Sequence, residues 1–483
     1  MSISSAISTA QQIFNNTGTQ TSVTSTNIAN TQNANYAKRT AVLVSNGNGA
    51  LVATTTREQN QPLLRQTIAS TSLASGQSTL ATGLEEIRSL LGGNDYELSM
   101  SKAMTTLLNN LGAYAAKPSE ATLAATALSS AQDVVNTLKT TSNELQAIRG
   151  RTDAQIKTQV DDLNNLLAQF ETANTAIIQA EAIGKQDNNA LDTRDTLLKQ
   201  ISEIVGVSST IRAGNDMALY TTDGTTLFET IPRNVSFTPT KTYTAATEGY
   251  AVSIDGVEVK AGVGGDTNAS GSLQALLQIR DEVAPTFQSQ LDEIARGLIV
   301  SFAETGPNDD QPAMAGLFTN GVDSTVNDTG VAQVGLAASI SVNADVKQKP
   351  TLLRDGGING TAYEWNPTAA SGYSTLIDHY SEMMQAKQTF DEITGVGGTD
   401  IDLMSYASDS TGWLEALRSS STAATETKSA MQSRAAEALS SETGVSLDEE
   451  LSLLLDIEQS YKAATKLVST IDEMISALMN AAG

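Results

Sequence analysis

The feature that most constrains this fold is a heptad pattern of apolar residues near the end of the 483-residue sequence. In the segment 446–480, apolar side chains recur at alternating intervals of three and four residues without a break. They are Leu454, Ile457, Tyr461, Ala464, Val468, Ile471, Ile475 and Leu478. The pattern predicts a helix about 50 Å long with an apolar seam that another part of this chain, or another molecule, must cover.

Neighbouring residues support this helix and widen its apolar face. Ser446 and Glu449 have capping-box spacing, which predicts the start of the helix. Leu453, Leu467 and Met474 extend the stripe along one flank. A core helix of an ordinary bundle and an assembly helix both fit this periodicity, so the pattern alone leaves the two interpretations open.

A second, weaker stripe opens the chain. Ile3, Ile7, Ala10 and Phe14 are spaced by four, three and four residues, and threonines take over the same positions beyond Phe14. Threonine and asparagine are poor helix formers, so we expect this helix to need a partner. The C-terminal seam is the obvious candidate, which predicts that the two ends of the chain pair.

The stretch NIANTQNANYAKRT, residues 27–40, follows this stripe. Taken alone, its asparagines indicate a helix end and a turn, and Lys38 and Arg39 suggest a solvated pair. The stretch resembles the N-terminal motif of the bacterial flagellar rod, hook and hook-associated axial proteins. Family members usually have glycine where this chain has Asn35, and asparagine also tolerates a positive φ.

Other segments resemble the hook-associated members of that family. They are REQNQPLLRQTIAS at 57–70, LDTRDTLLKQISEIVGV at 191–207 and the C-terminal helix itself. The resemblance implies that the ends of the chain assemble with neighbouring subunits. The residues predicted to form this interface are Ile3, Ile7, Phe14, Asn27, Ile28, Ala29, Asn30 and Tyr36, together with the eight seam residues Leu454, Ile457, Tyr461, Ala464, Val468, Ile471, Ile475 and Leu478.

The middle of the chain alternates between helical and strand patterns. Residues 40–56 predict a hairpin, and Asp-Gly pairs at Asp223-Gly224 and Asp255-Gly256 predict two more. We therefore expect a mainly α protein with β insertions, paired terminal helices in a coiled-coil-like arrangement, a helical-bundle domain and an outer β-rich domain. The predicted divisions are 1–66 with 440–483 for the terminal assembly domain, 67–206 with 272–304 and 375–439 for the bundle, 207–271 for the β-rich insert, and 305–374 for an irregular, β-containing segment.

Composition argues against several functions. The formal net charge of −25 disfavours nucleic acid or an anionic membrane surface as a partner. Cysteine is absent, and the single histidine, His379, has no nucleophile motif to accompany it. The sequence gives no apolar run long enough for a membrane span and no Sec-type signal peptide at its start. We predict no catalytic residues, no metal site and no cofactor.

The resemblance implies a structural adaptor between the flagellar hook and the filament, exported without a Sec signal peptide and located outside the cell. Its implied partners are copies of itself in a ring, the hook protein, the next hook-associated junction protein and an export chaperone at the C-terminal helix. The hook protein or another axial subunit is the alternative, although hook proteins lack so long a helical stretch as 67–205. Flagellin, a signalling coiled coil and a secreted glycan-active enzyme are more remote alternatives.

Overall fold

Helices form both ends of the chain in a computed structural model, which describes residues 3–46, 49–93, 95–308, 310–321 and 325–482. A π-helical turn, Ile279–Val283, joins the sixth helix to the seventh. The helices are α1 Ile3–Ala29, α2 Gln61–Ser89, α3 Met100–Ala116, α4 Ala121–Ala182, α5 Asn188–Ile204, α6 Ser272–Gln278, α7 Ala284–Ser301, α8 Leu336–Ser339, α9 Ala344–Gln348, α10 Leu352–Asp355, α11 Thr375–Met383, α12 Leu403–Thr443 and α13 Leu447–Ala482.

The strands are short and antiparallel. They are β1 Arg39–Asn46, β2 Gly49–Arg57, β3 Val207–Ile211, β4 Met217–Thr221, β5 Thr226–Phe228, β6 Val235–Ser236, β7 Ser253–Ile254, β8 Val257–Glu258, β9 Phe318–Thr319, β10 Ser341–Val342, β11 Lys387–Phe390 and β12 Gly398–Asp402. Two three-stranded sheets run in the orders β3-β4-β5 and β6-β7-β8, while β1-β2, β9-β10 and β11-β12 pair as two-stranded sheets.

Local chemistry sets the ends of the long helices. The Asn60 side chain accepts a hydrogen bond from the backbone N–H of Leu63, and proline occupies the first turn of α2. Gly92 and Gly93 adopt positive φ after α2, where a left-handed conformation ends the helix. At the start of α13, the Ser446 hydroxyl accepts from the Glu449 N–H at 3.5 Å, which matches the predicted cap.

Two hydrophobic cores lie along α4. The bundle core combines the first half of α4 with α3, α7, α11 and α12, through residues such as Leu107, Leu138, Leu298, Tyr380 and Leu414. The insert core combines the second half of α4 with α5 and strands β3–β7, through residues such as Phe170, Leu198, Leu219, Phe228 and Ile254. The β-rich insert therefore shares its apolar interior with the helices.

A buried charged network lies on α4 at the boundary between the cores. Asp153 accepts hydrogen bonds from the Arg280 guanidinium at 2.7 Å, from the Tyr243 hydroxyl at 2.7 Å and from the Thr240 N–H at 2.7 Å. The Arg280 side chain is fully buried, and it also pairs with Asp281. Burial, together with the hydrogen bond to Asp153, raises the pKa of Tyr243 to about 12, so its phenol remains a donor.

The structure confirms the predicted fold class, and it confirms the hairpin signals at Asp223-Gly224 and Asp255-Gly256. It also confirms the hairpin predicted for 40–56, of which residues 47 and 48 lie outside the described residues. The β11–β12 hairpin, 387–402, was not predicted, because its glycine-rich link suggested only a loop. The proposed domain boundaries remain a prediction.

We expect Gly271→Ala to destabilise the protein. Gly271 has φ +92°, and an added Cβ would lie 2.4 Å from the carbonyl oxygen of Ile204. The strained φ alone costs about 1–3 kcal/mol, and the clash adds to it. Gly150→Ala in α4 is the matched control: nothing lies within 4 Å of its Cβ position, and replacing a helical glycine should stabilise by roughly 0.5–1 kcal/mol. Urea unfolding measures both, and equal midpoints would contradict the prediction.

Candidate assembly site

The two ends of the chain form an antiparallel helix pair, α1 with α13. The rings of Phe14 and Tyr461 meet edge to face, with centroids 5.1 Å apart. The segment that follows α1 meets the start of α13, where Lys38 pairs with Glu449 at 2.7 Å. Because α1 and α13 stand outside both hydrophobic cores, the pair is a separate layer attached to the bundle.

Only one side of the α13 seam is covered. Ile457, Ala464 and Ile471, which are seven residues apart, are buried against α1. Leu454 and Ile475 are half-buried, whereas Tyr461, Val468 and Leu478 are exposed. The predicted flank is exposed as well, through Leu453, Leu467 and Met474. α1 thus covers one column of the α13 apolar face, and apolar side chains remain exposed to solvent on both flanks of that column.

The N-terminal residues of the predicted interface are less uniform. Ile3, Phe14 and Ile28 are half-buried, Ile7 is exposed, and Ala10 is buried beneath α13. Further along α1, Thr17 and Thr24 are buried, and the Thr17 hydroxyl bonds back to the carbonyl of Ile13. Thr17 fits the helix interface because its hydroxyl is satisfied within the helix.

The Asn-Ile-Ala-Asn motif ends α1 and holds the turn that follows. Asn27 is buried, and its side-chain amide pairs with both backbone groups of Arg39: Nδ2 donates to the carbonyl at 2.9 Å and Oδ1 accepts from the N–H at 3.1 Å. The same Oδ1 accepts from the Tyr36 hydroxyl at 2.7 Å. Burial raises the pKa of Tyr36, which keeps this donor protonated. Asn30 is half-buried and Ala29 exposed.

The base of the β1–β2 hairpin is fastened to α5. Arg39 and Arg57 are cross-strand partners, and both reach Asp192, at 2.9 and 2.6 Å. Arg57 also binds Asp195 at 2.7 Å. Although burial lowers the pKa of Arg57, the two carboxylates outweigh it and leave that pKa raised. These contacts connect the motif at 27–40 to the segment LDTRDT, which sequence analysis had noted separately.

A second connection runs from the same turn to α13. Lys38 donates its backbone N–H to the carbonyl of Thr443 at 2.8 Å, and its ammonium group binds Glu449. This hydrogen bond lowers the pKa of Glu449. The expectation that Lys38 and Arg39 form a solvated pair is therefore wrong, because each side chain forms an ion pair with a carboxylate elsewhere in the fold.

Sequence reasoning missed the residues that hold this layer in place. Asp192, Asp195 and Arg57 were not identified as contacts of the motif, because ion pairing over more than 130 residues leaves no local pattern. One signal was available. No acidic residue precedes Glu58, so carboxylates that pair with the basic residues at 38, 39 and 57 must come mainly from segments distant in the sequence.

Comparison with known proteins bears directly on this layer and on the bundle. A family profile described as "Flagellar hook-associated protein FlgK helical domain" matches residues 84–306. A second, "Flagellar basal body rod FlgEFG protein C-terminal", matches residues 438–481, which include α13. Flagellar hook-associated protein 1 of Bacillus subtilis (strain 168) is 23% identical over 436 residues, which cover 84% of this chain and 80% of that protein.

Over most of its length the chain is similar to members of the flagellar hook-associated protein 1 family. The member from Salmonella typhimurium is 24% identical over 320 residues, covering 62% of this chain and 56% of that protein. The chain thus spans little more than half the length of some curated relatives. The solved flagellar hook junction protein FlgK from Burkholderia pseudomallei matches with a TM-score of 0.42 and 19% identity, covering 53% of this chain and 46% of that one.

The described residues hold neither a membrane-spanning helix nor a cluster of metal ligands. Across 3–46, 49–93, 95–308, 310–321 and 325–482, no helix is long and apolar enough to cross a bilayer. Within the same ranges, no three His, Asp or Glu side chains are grouped as metal ligands would be. His379 stacks near Trp365, with ring centroids 5.1 Å apart, in a packing role.

Proposed function

We propose that this chain is a structural adaptor of the bacterial flagellum that joins the hook to the filament by self-assembly through its terminal helices. The observation that carries this proposal is the apolar stripe of α13, which α1 covers on one side only. Apolar surface of this length is costly to leave in water, and neighbouring subunits would cover it. The family's curated members are named for association with the hook.

The long helical middle favours a junction protein over the hook protein. The match to the hook-associated helical domain covers α4 and α5, and it extends through the β-rich insert into α7. The C-terminal match, by contrast, is to a domain described for rod and hook proteins, so α13 is the part common to axial subunits. We infer that α1 and α13 mediate self-assembly, while the bundle determines which position the subunit takes among the flagellar axial proteins.

Several finer assignments belong to the same proposal. The partners are copies of this chain in a ring, the hook protein, the next hook-associated junction protein and an export chaperone that holds α13 before assembly. Nucleic acid and membrane insertion have no part in it, nor does catalysis, and the location is extracellular. The division into a terminal assembly domain, 1–66 with 440–483, and a bundle with two insertions is proposed on the same grounds.

Electron microscopy of flagella from a strain that lacks this chain tests the proposal. Hooks without filaments are the expected result, and expression of the full chain should restore filaments. A strain without hooks would instead favour the hook protein, and normal filaments would overturn the proposal.

A further inference from the structure

A second uncovered apolar surface lies on the β1–β2 hairpin. Val44 and Leu51 are cross-strand partners with 51% and 46% of their surfaces exposed. Leu43, which points to the other face, is also exposed. The distal half of the hairpin therefore shows apolar side chains on both faces. An exposed hairpin of this kind is an aggregation hazard unless something covers it.

The hairpin and α13 lie on nearly opposite sides of α1. Phe14 faces Tyr461 of α13, whereas the Asn16 side chain accepts a hydrogen bond from the backbone N–H of Val52 at 3.1 Å. Side chains two residues apart on an α-helix point about 160° away from each other. Each copy thus presents one apolar surface on either side of α1, the geometry of a head-to-tail contact that can propagate around a ring.

The two surfaces also lie at the same height. Phe14 and Asn16 are only about 3 Å apart along the axis of α1, so Val52 of the hairpin is level with Tyr461 in the middle of α13. In a ring whose axis runs along α1, neighbouring copies stand at the same height. The distal hairpin of one copy would then meet the central part of α13 in the next copy.

Charge favours this pairing over contact between two α13 helices. Residues 40–56 contain no charged side chain, whereas α13 carries seven acidic residues and two lysines. Two α13 helices side by side would bring like charges together, which costs affinity. An uncharged apolar hairpin can cover the α13 stripe without that repulsion.

We propose that the β1–β2 hairpin of one copy docks on the exposed α13 stripe of the neighbouring copy, through Val44 and Leu51 on one side and the column of Leu453, Leu467 and Met474 on the other. The base of the hairpin is already held by Arg39 and Arg57 on Asp192. It is therefore presented in a fixed orientation, which lowers the entropy lost on docking. This inference rests on the proposed self-assembly.

Disulfide cross-linking tests the contact, because the chain has no cysteine of its own. Leu51→Cys is combined in turn with Leu453→Cys, Leu467→Cys and Met474→Cys in the proposed column, and with Tyr461→Cys on the opposite flank of α13. Flagella are isolated from cells that depend on each variant, oxidised and run on a non-reducing gel. We expect a ladder of linked multimers at one or two of the three column positions and none at Tyr461, since a disulfide needs Cα atoms within about 7 Å. Within a single copy the two cysteines lie on opposite sides of α1.

The single-cysteine variants are the controls. A head-to-tail contact gives no product from either variant alone, so dimers from an α13 cysteine alone would overturn the proposal in favour of like-with-like pairing. Absence of multimers from all three column double variants, in flagella that carry filaments, would also overturn it while leaving the proposed function intact. Failure of the proposed function is seen separately, as filaments on cells that lack the chain.

A second experiment, which uses a pair of opposite charges, tests the contact if a double-cysteine variant grows no filaments. Leu51→Lys and Leu467→Glu each place a charge in the proposed contact, and we expect each alone to reduce swimming. Combined in one chain, they would face each other between copies and restore swimming at least partly. Two losses that simply add would contradict the contact.

Discussion

Ile471→Asp is expected to abolish filament growth while the rest of the protein stays folded. Ile471 is buried against α1, and α1 carries no Lys or Arg that could pair with a carboxylate at that position, which costs several kcal/mol. Neither hydrophobic core includes a residue of α1 or α13. The helix pair should therefore open without unfolding the bundle. Electron microscopy of complemented cells reads the first effect, and thermal unfolding of the purified chain reads the second.

Ser469→Asp is the matched control for this substitution. Ser469 is exposed two residues before Ile471, in the same heptad column as the charged Lys462. Filaments should grow from cells that carry it. Normal filaments on cells carrying only the Ile471→Asp chain would refute the assembly role of the seam, and a general loss of thermal stability would show that the terminal layer belongs to the folding core.

Asp153→Ala is expected to cause the largest loss of stability among single substitutions in the middle of the chain. It removes the acceptor of three hydrogen bonds and leaves the fully buried Arg280 with Asp281 as its remaining carboxylate partner. Breaking a buried pair from one side costs roughly 3–5 kcal/mol. Urea unfolding of the full chain should show the midpoint falling accordingly.

Asp161→Ala, two turns further along α4, separates this effect from the loss of an ordinary ion pair. Asp161 pairs with Lys157 on the surface, and both side chains are well exposed. Exposed pairs contribute about 0–1 kcal/mol. Similar midpoints for the two variants would mean that the Asp153 network contributes no more than a surface pair.

The sequence predicted the individual helices and strands better than the contacts between them. Heptad spacing located α13 and Asp-Gly pairs located two hairpins, because these signals act over a few residues. The seam spacing did not reveal that only Ile457, Ala464 and Ile471 would be buried. Which column faces the partner depends on the rotation of one helix against another, which periodicity does not encode.

Longer-range features were harder still. The insert at 207–271 was expected to be an outer domain, and its sequence gave no sign that Leu219 and Phe228 pack against Phe170 and Leu198 in a common interior. The Asp192 contacts were equally hidden. An aspartate three residues before another on a helix suggests a solvated face, and its arginine partners lie in a different part of the chain.

The continuous helix α4 has a mechanical consequence. It contributes Leu138 to the bundle core and Phe170 to the insert core, and it runs for 62 residues without a break. At 1.5 Å per residue this is a strut of roughly 90 Å. The two cores cannot swivel against each other unless α4 bends, and Asp153 of α4 bonds to Thr240 and Tyr243 of the insert at the boundary between the cores. A subunit built in this way would carry torque from one end to the other as a stiff body.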